Sequence, residues 1–214
     1  MESVAVITAY NESKRIGKVL KGARKFVDRV IVVDDGSTDN TASVSKKAGA
    51  TVIRYEVNMG KGYALRIGLK RALSLKPKVI VFMDADGQHD PKYIPKFLDA
   101  IKNGADYVYG KRDLSNYPLN RKVGNLGLTL LTNLFCPTGI MDTECGFRAM
   151  TSKAARKLSL RSDLYGIEMD FACSAWKNGF KIDKVKIDVP VFHPKKAVGR
   201  GFRNFVFLLE RRFS

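Results

Sequence analysis

Short apolar runs and amphipathic stretches alternate along the first half of the chain. SVAVITAY, RVIVVDD, TVIRYE and KVIVFMD are compact, rich in β-branched residues and mostly apolar until their ends, the pattern of strands covered on both faces. Between them, SKRIGKVLKGARKF, TASVSKKAG and GKGYALRIGLKRALSL carry apolar residues at helical spacing, and a turn-rich GSTDNT follows the second strand. Strand and helix in repetition predict a parallel sheet with crossover helices. After Pro91 the rhythm changes to a helix reaching Asn103, a strand at DYVYGKR, then mixed short strands and one apolar helix from Arg121 to about Phe135. No Pro/Ser-rich linker divides the two halves, so the reading is a single α/β domain with two lobes.

Composition supports that size: 214 residues with 45% apolar content suffice for one full core. Charge changes the picture more. Lys and Arg number 38 against 21 Asp and Glu, a net charge of +17. Such a balance favours a polyanionic partner: nucleic acid, an anionic membrane surface or a phosphorylated substrate. A solvated basic coat is the plainer alternative, because clusters such as KRIGKVLKGARK fall on surface-type helices. Three cysteines, Cys136, Cys145 and Cys173, lack CxxC or metal-type spacing and are expected to be reduced thiols in a cytoplasmic protein. MESVAVITAY enters a strand pattern at once, so no leader is expected, and no apolar run reaches the roughly 18 residues of a membrane span.

The candidate chemistry sits where strands end. VIVFMDADGQHDP runs from five apolar residues directly into Asp84 and Asp86, then Gln88, His89 and Asp90. Crowded acids at a buried strand end cost free energy unless a cation lies among them. One residue apart in extended backbone, Asp84 and Asp86 share a side and can meet one hard ion such as Mg²⁺ or Mn²⁺. An EF-hand is excluded by Pro95 at the position that needs a bidentate Glu. A plain turn before a helix explains Asp90 well and Asp84 poorly. In NMGKGYA, glycines flank Lys61 before a helix, so backbone amides and the ammonium would attract phosphate; an ordinary strand-to-helix loop reads equally well. Neither a Walker A nor a GxGxxG motif occurs.

Five motifs in order, TAYNE, VVDDGSTDNT, NMGKGYAL, MDADGQHDP and ECGFRAM, resemble the family 2 inverting glycosyltransferases of the GT-A type, dolichyl-phosphate mannose synthase and its polyprenyl-phosphate relatives above all. The resemblance spans roughly residues 3 to 190. It implies a Rossmann-like nucleotide-diphospho-sugar transferase fold with a mainly parallel central sheet flanked by helices. Residues 1 to about 110 would bind the nucleotide sugar, about 111–198 the acceptor, and about 199–214 would form a C-terminal amphipathic helix. On the donor side it implies Ala9, Tyr10, Glu12 and Asp35 near base and ribose, with Lys61 and Asp84 beside them, and a metal on Asp84, Asp86 and Gln88. Asp86, Asp170 and Arg121 would carry catalysis. Arg112, Arg121 and Arg148 would receive an acceptor phosphate, for which arginine's two-pronged hydrogen bonding is suited; surface arginines near a helix start are the alternative. Glu168 and Asp170, in YGIEMD, lie where the family places a general base, Asp170 matching better, and both would also serve as helix N-terminal acids. An ionised phosphate acceptor needs no base. The QxxRW signature of processive synthases is absent, which argues against polysaccharide synthesis.

Two stretches are candidates for membrane contact: Val123, Leu126, Leu130, Leu131 and Leu134 on one helix, and Phe202, Phe205, Val206, Leu209 and Phe213 on another, each beside arginines. Each face either lies in an anionic interface or packs on the core. Three functions compete: transfer from a nucleotide sugar (GDP-mannose, UDP-glucose or UDP-N-acetylglucosamine) to a polyprenyl phosphate by a peripheral membrane enzyme; transfer to a soluble or protein hydroxyl; and nucleic-acid binding. No RRM, KH or helix-turn-helix pattern supports the last, and no nucleic-acid partner is expected. His89 and His193 are left outside the catalytic set.

Overall fold

The structure, a computed structural model, describes residues 2–115, 117–163 and 166–190. The first half runs β1 (Ser3–Ala9), α1 (Ile16–Ala23), β2 (Arg29–Asp34), α2 (Thr41–Lys47), β3 (Thr51–Arg54), α3 (Lys61–Ser74), β4 (Val79–Asp84) and α4 (Ile94–Lys102). The second half adds β5 (Tyr107–Arg112), α5 (Leu119–Phe135), β6 (Arg148–Thr151), the short α6 (Ser152–Ala155), α7 (Ile167–Lys177) and β7 (Ile182–Ile187). Seven strands make one sheet in the order β3-β2-β1-β4-β6-β5-β7. All neighbours are parallel except β6, which runs antiparallel to both β4 and β5.

Period-two alternation divides the core into two layers. Ile7, Val32, Val81 and Met83 face α1 and α4, meeting Val19, Leu20 and Phe97. Val6, Ile31, Val33, Ile80 and Phe82 face α3 and α7, meeting Leu65, Leu69 and Phe171. In α1 the buried Ile16, Val19, Leu20 and Ala23 form one stripe at helical spacing, and the regular helix is shorter than the pattern 13–26 implied.

Two features of the second half add to the sequence reading, and one corrects it. Helix α5 buries only Thr129 and Thr132, while Leu119, Val123, Leu126, Leu130 and Leu134 are 60–76% exposed, so its apolar row faces away from the core. Thr129 meets the Thr143 hydroxyl at 3.2 Å, so a polar seam joins α5 to the body. And Cys136 and Cys173 are joined by a disulfide that ties the end of α5 to α7, correcting the expectation of three reduced thiols. Cys145 is free and buried, and burial pushes its thiol up to about 12. The expected C-terminal amphipathic helix and His193 lie outside the described residues.

Candidate active site

Parallel pairing puts the carboxyl ends of β1, β2 and β4 on one edge, with Thr8 beside Asp84 and Ala9 beside Asp34. In open α/β sheets that edge is where ligands bind. The loop after β1 is fastened to the loop after β2. Asn11, at φ 56°, receives the Thr38 amide on Oδ1 at 2.8 Å, and its own amide and that of Glu12 donate to Ser37 and Thr41 hydroxyls at 2.9 and 2.8 Å. Asx-type side chains tolerate this left-handed backbone. Ala9 is thereby buried at the rim, Tyr10 stays about half exposed, and the Glu12 carboxylate pairs with Arg15 at 2.6 Å. Asp35 is buried and accepts the Met59 and Gly60 amides at 2.8 and 2.9 Å, so its carboxylate sets the loop that delivers Lys61.

A chain of charges crosses the centre. Lys61 Nζ lies 2.9 Å from Asp84 and 2.9 Å from Glu168 Oε1, and Glu168 in turn pairs with the fully buried Arg148. Burial would lower the Lys61 pKa, but the Asp84 and Glu168 carboxylates outweigh it and hold the ammonium well above its ordinary range. Burial likewise works against the Asp84 charge, yet Lys61 brings that carboxyl down to about 2. Asp86 fares differently: burial, then the neighbouring Asp84, push it up to about 6. Its two oxygens accept the Gln88 amide at 2.9 Å and the Gln88 side-chain amide at 2.8 Å. His89 is buried against Phe147, and burial lowers it to about 4, which keeps Nδ1 free to accept the Asp84 amide at 3.1 Å. Its place is in shaping the acidic turn.

Close packing fixes these groups. A Cβ on Gly146 would come within 2.6 Å of Asp84 Oδ2 and 3.0 Å of Lys61 Nζ, so the loop before β6 presses its backbone onto that ion pair. At the start of α3, the Gly62 and Tyr63 amides donate to the Asp163 carbonyl at 2.9 and 3.2 Å. Those two amides are therefore occupied within the chain, which leaves the Lys61 ammonium, paired with Asp84 and Glu168, as the cationic group at that helix start.

Glu168 and Asp170, two apart on α7, point in different directions, as residues at that helical spacing must. Glu168 reaches Lys61, whereas Asp170 is buried and accepts the Arg161 and Ser162 amides on Oδ2 at 2.7 and 2.8 Å. Arg112, at the end of β5, grips Asp142 with Nε and Nη2 at 2.7 Å each. Arg121 lies in the first turn of α5, partly exposed, its amide accepted by Pro118. Arg148 does not reach the open crevice; its guanidinium is 1% exposed, pairs with Glu168 and lies 4.3 Å over the Phe171 ring. The pairing of Glu168 with Lys61 and Arg148, and of Asp142 with Arg112, was not visible from spacing, because each pair joins residues far apart in the chain.

Asp84, Asp86 and Gln88 fit a hard divalent ion. Burial first and the adjacent Asp84 second raise Asp86, and a cation between the two carboxylates would relieve both costs. Among the described residues no three His, Cys, Asp or Glu side chains close around one point. An ion there would need water and substrate oxygens to complete its shell, as Mg²⁺ usually does.

The profile of glycosyl transferase family 2 matches residues 4–159. A UDP-N-acetylglucosamine–dolichyl-phosphate N-acetylglucosaminyltransferase of Methanococcus voltae is 35% identical over 95% of this chain and 93% of its own. A dolichol-phosphate mannosyltransferase of Pyrococcus furiosus is 32% identical over 94% of this chain and 59% of its own. Among solved structures, glucosyl-3-phosphoglycerate synthase of Mycobacterium tuberculosis superposes with a TM-score of 0.80 at 22% identity, over 98% of this chain and 79% of that one, which establishes the shared GT-A fold.

Proposed function

The chain belongs to glycosyl transferase family 2, and from that premise we propose that it moves a hexose, with inversion, from a nucleotide sugar to a polyprenyl phosphate at a membrane surface. The observation that carries the acceptor half is the outward apolar row of α5, beginning beside Arg121 and Lys122 on the same lobe as Arg112. Leucines facing water over a whole helix are costly unless another apolar phase meets them. A helix with such a face and basic residues at its start lies naturally in a lipid interface. No helix among the described residues is long and apolar enough to cross a bilayer, so attachment would be peripheral. The two dolichyl-phosphate relatives support this acceptor class and differ in the sugar they are named for.

In this reading Ala9, Tyr10, Glu12 and Asp35 flank base and ribose, and Lys61 supplies fixed positive charge beside the diphosphate. Asp84, Asp86 and Gln88 would hold Mg²⁺ or Mn²⁺, which when bound offsets charge developing on the leaving nucleoside diphosphate. Arg121 and the Nη1 edge of Arg112 would receive the lipid phosphate. That phosphate has a second pKa of about 6 and arrives as its own nucleophile. Proton removal is not required, which suits an Asp170 occupied with backbone amides. Arg148 is assigned to holding Glu168 rather than to the acceptor.

The test incubates the full chain with polyprenyl phosphate in vesicles and each of GDP-mannose, UDP-glucose and UDP-N-acetylglucosamine, with and without Mn²⁺. Sugar appearing in the lipid fraction with one donor, only when the ion is added, is expected. Transfer to water-soluble acceptors with none to lipid phosphate would overturn the acceptor assignment.

A further inference from the structure

The loop from Asp142 to Phe147 is held at nearly every residue. Asp142 grips Arg112, and the Thr143 amide and hydroxyl meet Thr129 of α5 at 3.3 and 3.2 Å. The Cys145 carbonyl accepts from Arg148, and Gly146 lies against Asp84 and Lys61. In the middle of this fixed loop stands Glu144, whose Oε1 is buried and has no hydrogen-bond partner among the described residues. The charges facing it are Glu168 on α7, Arg112 on β5, Asp142 in its own loop and Lys61 on α3. It thus lies between the Asp84–Lys61 pair and Arg112, the two places assigned above to the donor diphosphate and the acceptor phosphate.

An acceptor oxygen buried without a partner costs free energy in the empty protein, and a group kept at that cost is best explained by what arrives later. The chemistry of the surroundings limits what that is. Phosphate would be repelled by Glu144 and Glu168 together. Among the described residues no three acids close a cage for a cation, and the two acids that face Glu144 are already served, Glu168 by Lys61 and Asp142 by Arg112. A neutral O–H donor satisfies a carboxylate oxygen without adding charge. Resting on the glycosyl-transfer reading, we infer that Glu144 Oε1 accepts a hydrogen bond from a hydroxyl of the transferred sugar, and that this contact takes part in choosing the sugar. A site built to hydrogen-bond a hydroxyl rejects the analogue lacking it far more strongly than an apolar pocket rejects an extra group.

Calorimetric titration of the full chain in Mn²⁺ tests this, with the donor identified by the vesicle assay and with its free nucleoside diphosphate. Glu144→Leu is expected to bind the diphosphate as wild type does and to bind the nucleotide sugar about 10–100-fold more weakly. Glu144→Gln, which keeps the shape and an acceptor oxygen without the charge, should fall between them. Without ligand, either variant should melt at or above the wild-type Tm, by up to ~2–4 °C, because an unsatisfied buried charge has been removed. Equal nucleotide-sugar affinity in wild type and Glu144→Leu overturns the inference and leaves the glycosyl-transfer reading standing. A lowered Tm in Glu144→Gln, with both ligands weakened alike, assigns Glu144 to the scaffold and also overturns it. A wild type that binds the diphosphate but none of the three nucleotide sugars defeats the glycosyl-transfer reading itself, and the inference with it.

Discussion

Single carboxylates in this site differ in what their surroundings do to them, and the differences are measurable. Asp86 is raised to about 6 by burial and by Asp84, so its charge is a burden in the ion-free protein. Asp86→Asn is therefore expected to leave Tm unchanged or slightly higher without metal, while removing the Mn²⁺-dependent part of nucleotide binding in a titration; retained metal-dependent binding would refute its place in the ion site. Glu144 gives a pH signature. Burial, with Glu168 nearby, raises its carboxyl from 4.5 to about 7, so the folded chain holds this proton more tightly than the unfolded chain. Its contribution to stability is then full below its ordinary value, declines as pH climbs toward about 7, and is level above that. Melting curves should show Glu144→Gln gaining on wild type between about pH 5 and about pH 8; a constant gap would mean the group is not perturbed. Asp84 and Asp86 were legible in the sequence because acids ending a buried strand contradict the strand's own pattern. Glu144 and Glu168 were marked only through the resemblance, in ECGFRAM and YGIEMD, and by no such local contradiction. Each sits in a helix or loop with a bland local explanation, and only tertiary contact with Lys61, Arg148 or Asp142 shows that its charge matters.

At the scale of elements, periodicity identified the strands and helices of the first half closely, because each apolar face there has a sheet to meet. It located an apolar row on α5 equally well and could not say what that row faces, since a stripe turned toward a core and one turned toward lipid have the same spacing. The structure turns it outward. Leu126→Gln with Leu130→Gln should then reduce flotation with anionic vesicles several-fold at unchanged Tm, as both side chains are exposed and substitutions there shift stability by only about 0.5 kcal/mol. A marked fall in Tm would show that the row is packed after all. The disulfide was hidden for a related reason: Cys136 and Cys173 are 37 apart in sequence and become neighbours only when α5 docks on α7. Closing a loop of that length is worth about 4 kcal/mol in the chain-entropy account. Cys136→Ser with Cys173→Ser should lower Tm by ~8–16 °C, and wild type in strong reductant should follow it. Equal melting of reduced and oxidised chains would show that the bond contributes nothing to stability.

For the whole molecule the open quantity is the +17 net charge, which composition announces without saying where it acts. A solvated basic coat and a membrane-seeking surface share that number and differ in how salt affects them. Raising salt from about 0.1 M to about 1 M shortens the Debye length from ~10 Å to ~3 Å, which removes attraction between an exposed basic surface and a lipid headgroup plane. Charges in the crevice interact at contact and partly out of water: Lys61 lies 2.9 Å from its carboxylate partners, so salt reaches them far less. The two processes should therefore separate in one titration series. Flotation with vesicles containing anionic lipid is expected to collapse across that range, while metal-dependent nucleotide affinity changes by only a few-fold. Vesicles of neutral lipid should retain the salt-insensitive remainder supplied by the α5 leucines. Strong flotation on neutral vesicles at every salt concentration would assign attachment to the apolar row alone and return the basic excess to the role of a coat. Flotation on neither vesicle would remove the membrane from the function and leave the family 2 chemistry with a soluble acceptor.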